Sequence, residues 1–199
     1  KYKEGDSFRL ALSCQSTDRL CFFATDGRAF TVNAGDLPRG RGDGQPMRLL
    51  MDLSNDEDIL SVFVIEEGGK RLVASSVGRG MLVADVDFAA EKRSGRQVLN
   101  LKGDESARLC VPAEGDHVAV YGGDKRLLVF SLDQLPEMAR GLGVALQKYP
   151  DGGEKPGPRQ AVVFSAADAL LLPRAAKPPG MAYPAPSTAA RAAAANAAT

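Results

Sequence analysis

The stretch Leu20-Cys-Phe-Phe-Ala-Thr-Asp-Gly-Arg-Ala-Phe-Thr-Val32 places two β-rich apolar runs on either side of Asp26-Gly27. Asp and Gly tolerate the positive φ of tight hairpin turns, so the stretch predicts a β-hairpin closed by a two-residue type I′ turn. The pattern recurs twice. Arg71-Leu-Val-Ala-Ser-Ser76, Val77-Gly78 and Arg79-Gly-Met-Leu-Val83 repeat it, followed by Val118-Ala-Val-Tyr-Gly-Gly123, Asp124-Lys125 and Arg126-Leu-Leu-Val-Phe130. With Arg28, Arg79 and Arg126 in register the intervals are 51 and 47 residues.

A second marker checks that period. An acidic residue and an apolar run precede each hairpin: Asp6 with residues 8–12, Asp58 with residues 59–65, and Glu105 with residues 107–111. The intervals are 52 and 47, so both markers shorten at the same step, which is the signature of an internal repeat. A third shared feature follows each hairpin, a basic glycine loop and then an apolar run expected to be a strand. These are Arg39 to Gly44 before Met47-Arg-Leu-Leu-Met-Asp-Leu53, Arg93-Ser-Gly-Arg-Gln97 before Val98-Leu-Asn-Leu101, and Arg140-Gly-Leu-Gly143 before Val144-Ala-Leu146. Strand, hairpin, loop and strand make four strands in about 50 residues, the size of one blade of an all-β propeller-like fold. The absence of Trp argues against WD40 repeats. Residues 1–153 are expected to form three blades, bounded near 5–55, 56–103 and 104–153. Gln160-Ala-Val-Val-Phe164 fits the opening strand of a partial or degenerate fourth blade over 154–176. Residues 177–199 form a Pro/Ala-rich tail that reads equally as a short helix after Pro186 or as low-complexity sequence.

Composition bounds the function. The 199 residues are 44% hydrophobic and 25% charged, as in an ordinary globular domain, and the chain opens at Lys1, as expected of a piece of a longer protein. No run approaches the roughly 20 apolar residues of a membrane span, and no signal peptide is visible, so a cytoplasmic, non-membrane location is expected. Cys14, Cys21 and Cys110 lack metal-site spacing and read as free thiols. The net charge is zero, with +3 on residues 154–199 and −3 on the rest. A generic nucleic-acid binder is strongly basic, so any such binding here has to come from a local patch.

The stretch Leu37-Pro-Arg-Gly-Arg-Gly-Asp-Gly-Gln-Pro-Met-Arg48 is the clearest candidate for that patch. Its glycines let backbone N–H groups approach an anion, while Arg39, Arg41 and Arg48 supply charge. Most Arg/Gly loops are merely solvated turns, and the repeat is what lifts this one above that reading.

With Thr25-Asp-Gly-Arg28, Leu37-Pro-Arg-Gly-Arg-Gly42 and Leu135-Pro-Glu-Met-Ala-Arg-Gly-Leu-Gly143, residues 5–150 resemble the C-terminal domains of bacterial type IIA topoisomerase A subunits. The topoisomerase IV type is nearer than the gyrase type. Asp43 stands where the gyrase box Gln-Arg-Arg-Gly-Gly-Lys-Gly favours a cation, which makes this a degenerate box. The resemblance implies a β-pinwheel, with strands exchanged between neighbouring blades and a basic outer rim that binds and bends double-stranded DNA. It also implies partners, namely the remainder of the A subunit, the ATPase B subunit and condensin-like or regulatory proteins near the nucleoid. ATP and Mg²⁺ belong to the parent enzyme, and no cofactor is expected in this fragment. The catalytic Tyr of the family follows an Arg. Tyr2, Tyr121, Tyr149 and Tyr183 follow Lys1, Val120, Lys148 and Ala182, so no catalytic site is expected. The DNA-contact candidates are then Arg39, Arg41 and Arg48 in the first unit, Arg93 and Arg96 in the second, and Arg140 in the third. Arg28, Arg79, Lys125 and Arg126 beside the hairpin turns join them.

Two other features read as structural. His117 is the lone histidine and suits a packing or surface role. Asp56-Glu57-Asp58 lacks the alternating ligands of a calcium loop. An alternative function is a protein-interaction propeller that docks partners through acidic faces such as Glu66-Glu67 or residues 56–58.

Overall fold

The computed structural model describes residues 8–38, 44–147 and 157–167. The strands are β1 (Arg19–Ala24), β2 (Arg28–Asn33), β3 (Ile59–Val64), β4 (Lys70–Ser75), β5 (Arg79–Ala84), β6 (Arg96–Gln97), β7 (Ala107–Pro112), β8 (His117–Gly122), β9 (Leu127–Ser131), β10 (Val144–Ala145) and β11 (Pro158–Phe164). The helical elements among the described residues are four single 3-10 turns, at Ala34–Asp36, Met47–Leu49, Asp85–Phe88 and Leu132–Gln134. The fold is all-β, as the repeat predicts.

The three hairpins β1-β2, β4-β5 and β8-β9 form where expected, with a different turn. Gly27 N donates to Ala24 O at 3.0 Å, Gly78 N to Ser75 O at 3.0 Å and Lys125 N to Gly122 O at 3.1 Å. The last residue of each turn has positive φ, at 78°, 83° and 65°, whereas Asp26, Val77 and Asp124 do not. Each loop is therefore a three-residue turn closed by a left-handed residue, and not type I′, which needs two positive φ values. The intervals between the left-handed residues are again 51 and 47. Asp26 Oδ1 and Asp124 Oδ1 accept from the amides of Arg28 and Arg126 at 2.9 and 3.1 Å, so the aspartates fix the turns by local side-chain bonding.

Each hairpin gains its outer strand from the sequence that follows it. The sheets run β3-β1-β2-β6, β10-β5-β4-β7 and β11-β8-β9. The opening strand of each unit thus closes the sheet of the hairpin before it, and β6 and β10 come from one hairpin further on. Residues 8–12, expected as an opening strand, form no strand, and Phe8, Leu10 and Leu12 are exposed. The strand expected over residues 47–53 is also absent. β6 occupies the edge of β2, so this segment makes a 3-10 turn and buries Met51 and Leu53 against Leu20, Phe22 and Phe30.

The inner strands β1 and β4 are buried on both faces, which stacks the sheets. Cys21, Phe23 and Phe63 of the first sheet meet Val73, Met81 and Val83 of the second. Leu72, Ala74, Leu82 and Leu109 on the opposite face of the second sheet meet Val118, Val120 and Ala161 of the third. The 3-10 turn after each later hairpin seals these layers. Phe88 sits edge-on to Phe23 and Phe63, with centroids 5.6 and 5.1 Å apart, and Leu135 joins the second layer. Between the stacked sheets Arg71 Nε and Asp85 Oδ1, both buried without a hydrogen-bond partner, lie 3.2 Å apart. Arg71 also lies 3.5 Å over the Phe63 ring. Burial raises the pKa of Asp85 against the opposing pull of Arg71, so the pair is held by mutual attraction in a poorly solvating place.

A Cβ on Gly27 would lie 2.2 Å from the Leu99 carbonyl oxygen. Gly27→Ala is expected to cost about 2 kcal/mol or more, from positive φ and this clash together. Lys125→Gly relieves the same φ in the third turn and is expected to add about 1 kcal/mol. Urea unfolding of the two variants checks both signs.

Candidate nucleic-acid interface

The turn ends of the second and third sheets gather cations by a repeated register. Gly122 N donates to Arg126 O at 2.8 Å, and Arg79 N approaches Ser75 Oγ at 3.4 Å, so each arginine lies beside the last residue of its hairpin's first strand. On the other side of that residue the outer strand carries a bulge. Register shifts fall between Phe23 and Ala24, between Ala74 and Ser75, and between Pro158 and Gln160, at the same place in all three sheets. The residues at the bulge are Leu60, Arg108 and Arg159. Both arginines are exposed. Arg79 and Arg108 therefore flank Ser75, and Arg126 and Arg159 flank Gly122, one repeat apart.

Sequence reasoning missed Arg108 and Arg159. They were legible as equivalent positions of two opening strands, 51 residues apart, but strict strand alternation hides a residue that a bulge turns outward.

The other candidates are less uniform. Arg39 and Arg41 lie outside the described residues. Arg28 is tied down: its Nε pairs with Asp26, Nη1 donates to Ser94 O at 3.0 Å, and the guanidinium lies 5.0 Å from the Phe30 ring centroid. Its side chain is 23% exposed, so this arginine holds the turn against the β6 loop more than it faces solvent. Arg48 Nη2 donates to Ser54 O and Asn55 O at 3.2 and 3.1 Å, clamping the loop beside the first turn. Arg93 donates to Leu49 O at 2.8 Å and lies 3.8 Å from Asp52. Arg96, on β6 opposite Ala29, lies 3.9 Å from Asp87. Arg140 Nε donates to Asn100 Oδ1 at 3.0 Å and remains exposed. Arg126, 65% exposed, lies 3.7 Å from Asp124. No acidic side chain among the described residues pairs with Arg79, Arg108, Lys125 or Arg159.

The acidic stretch at residues 56–58 is occupied by structure. Glu57 accepts from Thr25 Oγ1, and Arg9 pairs with Asp58 at 2.9 Å, a hydrogen bond that lowers the pKa of Asp58. No group of three or more metal-ligating side chains occurs among the described residues. His117 Nδ1 lies 2.8 Å from Asp116 Oδ1, with its ring tilted over Phe164. Cys21, Cys110 and Cys14 are free, and burial pushes the Cys110 thiol up to about 12, so it stays protonated and inert. Among the described residues no helix is long and apolar enough to cross a membrane.

Stacked hairpins that share strands with their neighbours, and carry repeated arginines at one end, define a β-pinwheel. Known proteins agree. A family model described as "DNA gyrase C-terminal domain, beta-propeller" matches residues 18–66 and 126–155. The A subunit of DNA topoisomerase 4 from Caulobacter vibrioides is 42% identical over 157 residues, which cover 79% of this chain and 21% of that protein. Its Rickettsia bellii counterpart is 38% identical over 149 residues, 75% of this chain and 20% of that protein. The solved C-terminal domain of Escherichia coli ParC aligns with a TM-score of 0.70 and 26% identity, over 75% of this chain and 62% of that one. The chain belongs to the C-terminal β-pinwheel family of the topoisomerase IV and gyrase A subunits. It spans about a fifth of the length of the curated relatives it matches.

The environments of the equivalent arginines separate their roles. Arg28→Ala is expected to lower stability by about 1 kcal/mol through its lost ion pair and packing, while Arg79→Ala stays within about 0.5 kcal/mol of the parent chain. Thermal or urea unfolding of the two variants tests that contrast.

Proposed function

We propose that this chain is a DNA-binding and DNA-bending accessory domain of a topoisomerase IV-type enzyme, guiding supercoil relaxation and decatenation. The observation that carries the reading is the pairing of Arg79 with Arg108 and of Arg126 with Arg159 at equivalent sheet ends. Cations repeated at blade intervals neutralise successive phosphates of one duplex, and phosphate contacts carry no base code. Binding is then steeply salt-dependent and nearly indifferent to sequence. A rim that spans several blades holds the duplex along a curve, and the bend is repaid by the added contacts. Arg39, Arg41, Arg48, Arg93, Arg96, Arg140 and Lys125 extend the set. Arg28 contributes indirectly by fixing the first turn.

The reaction of the parent enzyme, ATP-driven passage of one duplex through a break in another with Mg²⁺, falls in this proposal to the remainder of the longer chain together with its ATPase partner. The DNA substrate places the domain at the bacterial nucleoid.

A second reading, docking of a condensin-like or regulatory protein, is supported by a cleft of about 520 Å³ between the second and third sheets. It is lined by Leu82, Leu135 and the carboxylates Asp116, Asp133 and Glu137, of which Glu137 is paired with Lys70 at 2.7 Å, so Asp116 and Asp133 are the charges left to meet a basic partner segment.

The test is a gel-shift and DNA-bending series in rising salt. The combined variant Arg79→Glu, Arg108→Glu, Arg126→Glu and Arg159→Glu is expected to lose most affinity at low salt. Its plot of log affinity against log salt is expected to flatten by about 0.9 for each phosphate contact removed. Parent-chain binding that is absent at low salt, or that survives all four changes with an unaltered slope, contradicts the rim and favours the acidic cleft.

A further inference from the structure

The three sheets differ at one edge. In the first two, the second strand of the hairpin gains a partner: β6 pairs with β2, and β10 with β5. The backbone after the third hairpin adds to the edge of β5, where Leu82 N donates to Pro136 O at 3.0 Å and Met138 N to Leu82 O at 2.9 Å. Among the described residues no strand pairs with the outer edge of β9. Leu127, Leu128 and Val129 are 52%, 38% and 45% exposed, whereas Gly80, Met81 and Leu82 at the same positions of β5 are buried. Exposed sheet edges ordinarily carry a charge, a proline or a bulge that discourages pairing, and Leu127-Leu-Val-Phe-Ser131 has none of them.

That edge is complementary to itself. Gly122 N donates to Arg126 O and Leu132 N to Asp116 O, both at 2.8 Å, so alternate residues of β9 spend their backbone groups on β8. Leu127, Val129 and Ser131 turn theirs outward. A second β9 laid antiparallel across a two-fold axis at Val129 matches these groups, with Val129 facing Val129 and Leu127 facing Ser131. On the other face Leu128 then meets Phe130 of the second copy, and at the ends Lys125 stands opposite Asp133. Lys125 and Asp133 are exposed, and neither has an ion-pair partner among the described residues. Moving the axis to Leu128 sets Lys125 opposite Ser131, and moving it to Phe130 sets Asp133 opposite Leu127. Charge therefore selects the register centred on Val129.

We propose that β9 is a contact surface for a second copy of this chain, which continues the third sheet antiparallel across a two-fold axis in the order β11-β8-β9-β9-β8-β11. Such a contact uses the same patch on both chains and closes at two. The added main-chain bonds hold the two chains together, and the Lys125–Asp133 pair, present twice, fixes their register. Leu127, Leu128 and Val129 pass from an edge to the interior of a sheet. Neither Arg126 nor Arg159 is needed for it, so the pairing is independent of the nucleic-acid reading.

Sedimentation of the full 199-residue chain over a concentration series tests it, and an equilibrium between one and two copies is expected. Lys125→Glu and Asp133→Lys each set like charges against one another at both ends of the contact, and each alone is expected to weaken the dimer about tenfold. Mixed in equal amounts, the two variants are expected to pair with each other at the parent affinity, because every altered charge then faces an opposite one. Leu128→Lys, at a position exposed in the single chain, brings a cation against Phe130 twice and is expected to leave only monomer. A parent chain that stays monomeric overturns the proposal, and a Val129 amide protected from hydrogen exchange in that monomer assigns the edge to another part of the same chain. Variants that dimerise as the parent does, or a mixture that stays as weak as its components, overturn it as well.

Discussion

Two-sided burial governs this structure. The inner strands of the hairpins are apolar on both faces, with Cys21 and Phe23 facing one way and Leu20 and Phe22 the other. No such sheet is buried by itself, because one face stays wet until a neighbour covers it. The chain meets this by exchange. Each hairpin receives its outer strand from the next unit, and the first two receive their covering residue from the turn after the next hairpin, so Phe88 and Leu135 each seal a layer begun about 65 residues earlier. The Arg71–Asp85 pair lies in the same layering, where its burial is compensated only while the sheets remain stacked.

Exchange also sets where the repeated arginines stand. The repeated bulge puts Arg108 and Arg159 at the end of the sheet that already carries Arg79 and Arg126, and the fixed stacking of the sheets spaces those pairs. A chain of zero net charge can present local pairs of exposed arginines in this way, because part of its acidic content is spent beside turns and in loops. Asp26 and Asp124 fix turns, Asp58 meets Arg9, and Asp85 meets Arg71. The family relationship explains why the whole pattern lies within about a fifth of each longer relative.

Much of this was legible in the sequence, for a physical reason. Hairpins are local, so Asp26-Gly27 and Val77-Gly78 between β-rich runs gave their positions and register. The two-residue reading misled only about the turn type, since a single left-handed residue closes each of the three loops. The opening strands were recognised as apolar runs, but their pairing was not readable from the residues alone: nothing local in residues 59–64 says that they close the hairpin behind them. The resemblance supplied that exchange. Residues 8–12 and 47–53 show the limit of pattern reading, because an apolar run becomes a strand only where a sheet edge is available. At the site, the register of Arg28, Arg79 and Arg126 was correct while their environments differ. Arg28 is held by Asp26, Ser94 and Phe30, contacts that span up to 66 residues and leave no local mark.

If exchange is what holds the fold, the first two sheets cannot open separately. Native-state hydrogen exchange under low urea measures this directly. Amides of β1 and β4 are expected to exchange through one opening reaction, with the same free energy and the same urea dependence. Two distinct opening energies, with the β1-β2 hairpin released while β4 and β5 stay protected, would contradict the account.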